Sequence, residues 1–95
     1  MTKPQLEKQI ERNVCDYAHD AGMLVYKFTS PARAAVPDRL FIRSDGRMWF
    51  CEFKRKGRVP TSAQQREHDR LRMRGVVVYV IDTVEDGIVM VNRHA

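Results

Sequence analysis

The sequence predicts an α/β fold, a mixed central sheet flanked by helices, with elements in the order αβββαβ. Three observations carry that prediction. Leu6, Ile10, Val14, Tyr17 and Ala21 recur at helical spacing near the N-terminus. Two apolar runs, 39–42 and 48–51, flank Ser44-Asp45-Gly46-Arg47, and Asp-Gly between such runs signals a hairpin. A second helical segment leads through Gly75 into the β-branched run 76–81.

The first helix is expected over residues 4–21, with Pro4 in its first turn and Gly22 just past its end. Glu7 and Glu11 share one face of it; Glu7 lies closer to the centre of the apolar stripe and Glu11 nearer its edge. Residues 23–28 read as the first strand. A small-residue loop between Pro31 and Pro37 carries Arg33. After the hairpin, residues 55–60 form a basic turn or loop.

Thr61 or Ser62 suits the N-cap of the second helix, with Gln65 at the capping-box position relative to Ser62. This helix includes Gln64, His68 and Leu71 and should stop at Gly75. The nearly continuous run 76–81 reads as a central strand buried on both faces, the pattern of a parallel neighbour. A right-handed crossover through the second helix would return it to the sheet. In the tail, a short helix near 83–86 precedes a last apolar run, 88–91.

Ninety-five residues suit one small domain spanning 1–95, in which dimerisation would add useful burial. Seventeen Lys and Arg against 12 Asp and Glu leave a net charge of +5, which favours a polyanion, nucleic acid ahead of membrane. Cys15 and Cys51 fall within apolar patterns and read as buried free thiols, not a disulfide or zinc site. There is no apolar leader and no stretch of membrane-spanning length, so a cytoplasmic location is expected. His19, His68 and His94 lack ligand spacing and read as surface residues.

The hairpin concentrates the chemistry. Asp38 opens its first strand, and Glu52 and Lys54 close its second, so antiparallel pairing brings the three together. Glu52 and Lys54 share a face, and Phe53 between them points into the core. Two carboxylates, with water and phosphate oxygen filling the other positions, suit Mg²⁺. A third carboxylate could come from Glu7 or Glu11. The Lys54 ammonium could position water or stabilise charge on phosphate, and Gln64 could hydrogen-bond water or phosphate. Arg33, Arg39, Arg55, Lys56 and Arg58 surround the place and would neutralise DNA phosphates.

Pro37-Asp38 followed by Glu52-Phe53-Lys54 resembles the PD-(D/E)XK nuclease signature. Lys27-Phe28, Ser30-Pro31, Val36-Pro37-Asp38-Arg39-Leu40, Phe50-Cys51-Glu52-Phe53-Lys54, Gln64 and the Leu71-Arg72-x-x-Gly75 helix end narrow the resemblance to the VRR-NUC family. It covers roughly residues 6–86 and is nearest the stand-alone phage or bacterial members. The resemblance implies a restriction-endonuclease-like core and an endonuclease dependent on Mg²⁺ or Mn²⁺. It implies a homodimer acting on branched DNA such as Holliday junctions. A flap-, end- or nick-directed nuclease and a catalytically silent DNA-binding module are the alternatives. By position, Asp38 and Glu52 would be metal ligands, Lys54 the catalytic lysine and Gln64 the family-type glutamine. The spacing from the helix glutamate to the helix-ending glycine in related resolvases selects Glu11 as catalytic residue and metal ligand. One departure is Ala35, where the family usually has glycine; a left-handed backbone there would be strained.

Overall fold

The structure, a computed structural model, describes residues 6–94. Its elements are α1 (Glu7–Asp20), β1 (Leu24–Lys27), β2 (Arg39–Ile42), β3 (Met48–Phe53), α2 (Ser62–Arg72), β4 (Val78–Ile81) and α3 (Val84–His94). The sheet runs β1-β2-β3-β4; the first two pairings are antiparallel and β3–β4 is parallel. The expected start of α1 at Pro4 lies outside the described residues.

The hairpin forms as its turn chemistry requires. Gly46 takes a φ of 87°, open to glycine at little cost, and the Asp45 carboxylate accepts the Arg47 N–H at 3.0 Å. Alternation then sorts β3: Trp49, Cys51 and Phe53 go into the core, while Phe50 and Glu52 face the other way. The core lies between the first of these faces and the α1–α3 pair. Ile10, Val14 and Ala18 of α1 and Met90 and Val91 of α3 meet Phe41, Trp49 and Phe53 there. The buried stripe of α1 is thus Ile10-Val14-Ala18, whereas Leu6, Tyr17 and Ala21 of the expected stripe are exposed. Tyr17 instead hydrogen-bonds Asn92 of α3 at 2.8 Å.

The tail forms one helix, not a short helix followed by an apolar run. Thr83 caps it by accepting the Asp86 N–H at 3.0 Å. Gly87, which interrupts the helical pattern in sequence, is where α3 presses on α1; a Cβ there would collide with the Val14 side chain. The run 76–81 also differs from expectation. Its strand is shorter, 78–81, and lies at the sheet's edge beside β3. It reads as a buried strand because α2 and α3 both pack on it, not because strands flank it. Both cysteines are free thiols, as expected, with Cys51 buried and Cys15 half-buried. Among the described residues, no helix is long and apolar enough to cross a membrane.

Candidate active site

The hairpin register builds the site. Arg39 faces Cys51 across the β2–β3 ladder, so Asp38, one residue earlier, stands opposite Glu52. Two bonds fix Asp38 there. Its carbonyl accepts the Phe28 N–H at 2.8 Å, and its Oδ2 accepts the Phe53 N–H at 2.9 Å. The loop that delivers it is not strained at Ala35, because no described residue other than glycine has a positive φ. The glycine expected by family resemblance is therefore not required by this backbone.

Glu52 is 2% exposed, a rare state for a carboxylate. Burial first, then the adjacent Asp38 charge and a hydrogen bond shared with Asp38, push its carboxyl up to about 8, against the opposing pull of Lys54. Its Oε2 accepts from the Gln64 amide at 3.3 Å. Gln64 is positioned by the helix cap: its own N–H donates to the Thr61 hydroxyl at 3.2 Å, and its Oε1 accepts the Thr61 N–H at 2.9 Å. The capping box thus runs from Thr61 to Gln64. Gln65, expected in that role, bonds Asp69 at 2.9 Å. Lys54 is half-buried just past β3, its backbone N–H held by the Ile81 carbonyl at 2.9 Å.

The two helix glutamates separate. Glu11 accepts from Arg39 Nε at 2.7 Å in a partly buried ion pair. Arg39 follows Asp38 on the strand and so points to the opposite, α1-facing side of the sheet. Glu7, one turn earlier, lies at the sheet's end. Partial burial first, then the Asp38 and Glu11 charges, raise its pKa, while Lys54 lowers it. Both glutamates border a groove of about 380 Å³ together with Lys27, Ser30, Arg33 and Asp38.

The basic residues also divide into two sets. Arg39 is committed to Glu11, and Arg33 to Glu67 at 2.8 Å. Arg55, Lys56 and Arg58 are exposed and make no ion pair among the described residues. Their loop is fastened beside the end of β4, where Gly57 N–H donates to Asp82 at 3.1 Å. Among the histidines, only His19 is an exposed residue as expected. His94 stacks on Trp49 at 4.1 Å and hydrogen-bonds Tyr79 at 2.7 Å. His68 is completely buried, with Nε2 3.4 Å from Glu52 Oε1. The available sequence signal was its place one helical turn after Gln64, on the same face.

Among the described residues, no cluster of three or more His, Cys, Asp or Glu side chains has metal-holding geometry. The donor set is the Asp38–Glu52 pair. That pair fits a hard divalent ion which keeps water as its remaining ligands.

A mixed αβββαβ sheet carrying Asp38 opposite Glu52-x-Lys54 is the architecture of the PD-(D/E)XK nucleases. Comparison with known proteins gives the narrower class. The chain is 42% identical over 77 residues to "Putative nuclease p44" of Acyrthosiphon pisum secondary endosymbiont phage 1, covering 81% of this chain and 83% of that protein. A solved structure described as a VRR_NUC domain superposes with a TM-score of 0.87 at 29% identity, covering 94% of this chain and 97% of that one. No family model matches the sequence. The chain belongs to the VRR-NUC family.

Proposed function

We propose that the protein is a divalent-metal-dependent DNA endonuclease that resolves four-way junctions as a homodimer. The observation that carries this reading is the pairing of the half-buried Asp38 with the buried Glu52 carboxyl, with Lys54 on the same strand end. A binding surface for DNA gains nothing from carboxylates gathered where phosphate must sit; a phosphodiesterase needs them to hold a cation. Asp38 and Glu52 would hold Mg²⁺ or Mn²⁺, which when bound polarises the phosphoryl oxygen and lowers the pKa of a water. Lys54 counters charge on the scissile phosphate and orients the attacking water. Gln64 holds the Glu52 carboxylate. The helix carboxylate of the site is Glu7; the tight Arg39 pair supports a structural role for Glu11. Arg55, Lys56 and Arg58 would track the DNA backbone beyond the site.

The homodimer follows from symmetry, since paired nicks across a junction need two sites related by a two-fold axis. An uncovered stretch of sheet supports it: Leu24, Tyr26 and Met48 are each more than half exposed and would be buried by a second copy.

The test is incubation with labelled four-way junction, flap, duplex and single-stranded DNA, with Mg²⁺, Mn²⁺ or chelator. Paired, metal-dependent nicks in the junction are expected. Asp38→Asn and Lys54→Ala should each lose about a thousandfold in rate, the several kcal/mol that a metal ligand or charge stabiliser supplies. Cleavage that survives chelator rejects the mechanism. A preference for flaps, or a monomer by light scattering, removes the junction-resolving reading and leaves the nuclease. Binding without cleavage under either metal identifies a silent DNA-binding module.

A further inference from the structure

We propose that His68 is a positioning residue of the nuclease site, holding one oxygen of Glu52 from the α2 side while Gln64 holds the other. The inference rests on the metal-dependent reading above and concerns what fixes the ligand, not what performs the reaction. His68 is the buried residue of α2. It is completely inaccessible, with Nε2 3.4 Å from Glu52 Oε1, and Gln64 Nε2 approaches Oε2 at 3.3 Å. The two donors are one helical turn apart, so one face of α2 grips both oxygens of one carboxylate.

The other ring nitrogen, Nδ1, is buried and has no hydrogen-bond partner among the described residues. That assigns the tautomer. A buried N–H without an acceptor is costly, so the proton belongs on Nε2, where Glu52 accepts it. The orphaned Nδ1 also argues against a filler role. A leucine or methionine would occupy this space without an unsatisfied polar atom. The histidine is favourable only through its contact with Glu52.

A carboxylate offers about four lone-pair directions. With one on each oxygen occupied by α2, the remaining pair would be left for an ion held together with Asp38. Without the His68 contact, Glu52 can rotate about its last torsion, and the ion meets a ligand that must be ordered on binding.

The test compares wild type with His68→Leu, His68→Met and His68→Gln, measuring Mn²⁺ affinity by calorimetry in the absence of DNA, melting by circular dichroism, and junction cleavage. Leu and Met keep the volume without the donor; Gln places an N–H near the position of Nε2. The Leu and Met variants should bind Mn²⁺ about 10- to 100-fold more weakly while melting at or above the wild-type temperature in chelator. Gln should restore affinity to within about threefold of wild type. Either apolar variant suffices if the other does not fold. Wild-type Mn²⁺ affinity in a folded Leu or Met variant overturns the proposal and leaves the nuclease reading intact. A Gln variant as weak as Leu also overturns it, because packing and not the donor would then be at work. Failure of the wild-type protein to bind Mn²⁺ overturns both readings.

Discussion

The two faces of the sheet are built on different principles. The α1–α3 face is closed and apolar: Phe41 and Trp49 stack at 5.5 Å, Phe53 lies beside Phe41, and Gly87 lets α3 approach Val14 closely. The α2 face is polar at one end and open at the other. α2 contributes to it a histidine and a glutamine aimed at a carboxylate, while Leu24, Tyr26 and Met48 lie uncovered. The first face supplies stability through burial. The second spends some of it, because burying the Glu52 carboxyl beside a second carboxylate is unfavourable. What separates them is the alternation of β2 and β3, which sends Arg39 and Cys51 to one side and Asp38 and Glu52 to the other.

The closed face should show the largest stability effect. In Gly87→Ala the new methyl must displace Val14 or part the two helices, so it should lower stability by about 1–3 kcal/mol, read as a lower urea midpoint with an unchanged slope. Cleavage per folded molecule should not change, because the carboxylate pair lies on the other face. A neutral or stabilising result would mean that the α1–α3 interface is looser than the structure describes.

On the open face, the metal-free protein should lose stability as pH rises. The Glu52 carboxyl titrates near 8 when folded and in the ordinary carboxylate range when unfolded. Between those values the folded state holds a proton that the unfolded state has released, so its advantage shrinks as pH rises and is gone above about 8. Burial, with Arg72 adding to it, pushes His68 the other way; it costs stability only as pH falls below the ordinary histidine range. From about pH 6.5 to 8 the Glu52 contribution is therefore free of the His68 one, at no more than about 1.4 kcal/mol per pH unit. Urea melts in chelator at pH 6.5 and 8 measure it. Glu52→Gln should flatten the slope, and Mg²⁺ should stabilise wild type more at pH 8 than at 6.5. A flat wild-type profile would place Glu52 in a more solvated setting than its 2% exposure implies.

Much of this division was legible from residue order. Asp45-Gly46 set the hairpin, and strand periodicity put Asp38, Glu52 and Lys54 at one end of it. The misreadings have local causes. The tail, read as a short helix near 83–86 and a separate apolar run 88–91, is one helix in which Gly87, a poor helix former, sits where close packing leaves no room for a side chain. His68 sits among Gln, Arg, Glu and Asp, and polar neighbours concealed that one of the set turns inward. The edge position of β4 was hidden because helices on both faces make a strand as apolar as neighbouring strands do. The helix carboxylate is a different matter: spacing in related proteins selects Glu11, while the residue after Asp38 is an arginine that faces the α1 side and pairs with Glu11.

That last point yields the smallest and sharpest test, because Glu7 and Glu11 are neighbours on one helix face with opposite expected roles. Glu7 is electrostatically coupled to Asp38 and Lys54, so Glu7→Gln should slow junction cleavage by about tenfold, roughly 1.4 kcal/mol of transition-state stabilisation, with little change in melting. Glu11→Gln breaks a partly buried pair with Arg39 and should lower stability by about 1 kcal/mol, leaving the cleavage rate within about threefold. The double change Glu11→Gln with Arg39→Gln should recover part of that stability, because no charge is then left unpaired at the site. The reverse pattern, with cleavage lost at Glu11 and spared at Glu7, would mean that Arg39 releases Glu11 when DNA and metal bind. The ion pair would then be a resting-state latch between α1 and β2, and the two faces would be coupled, not separate.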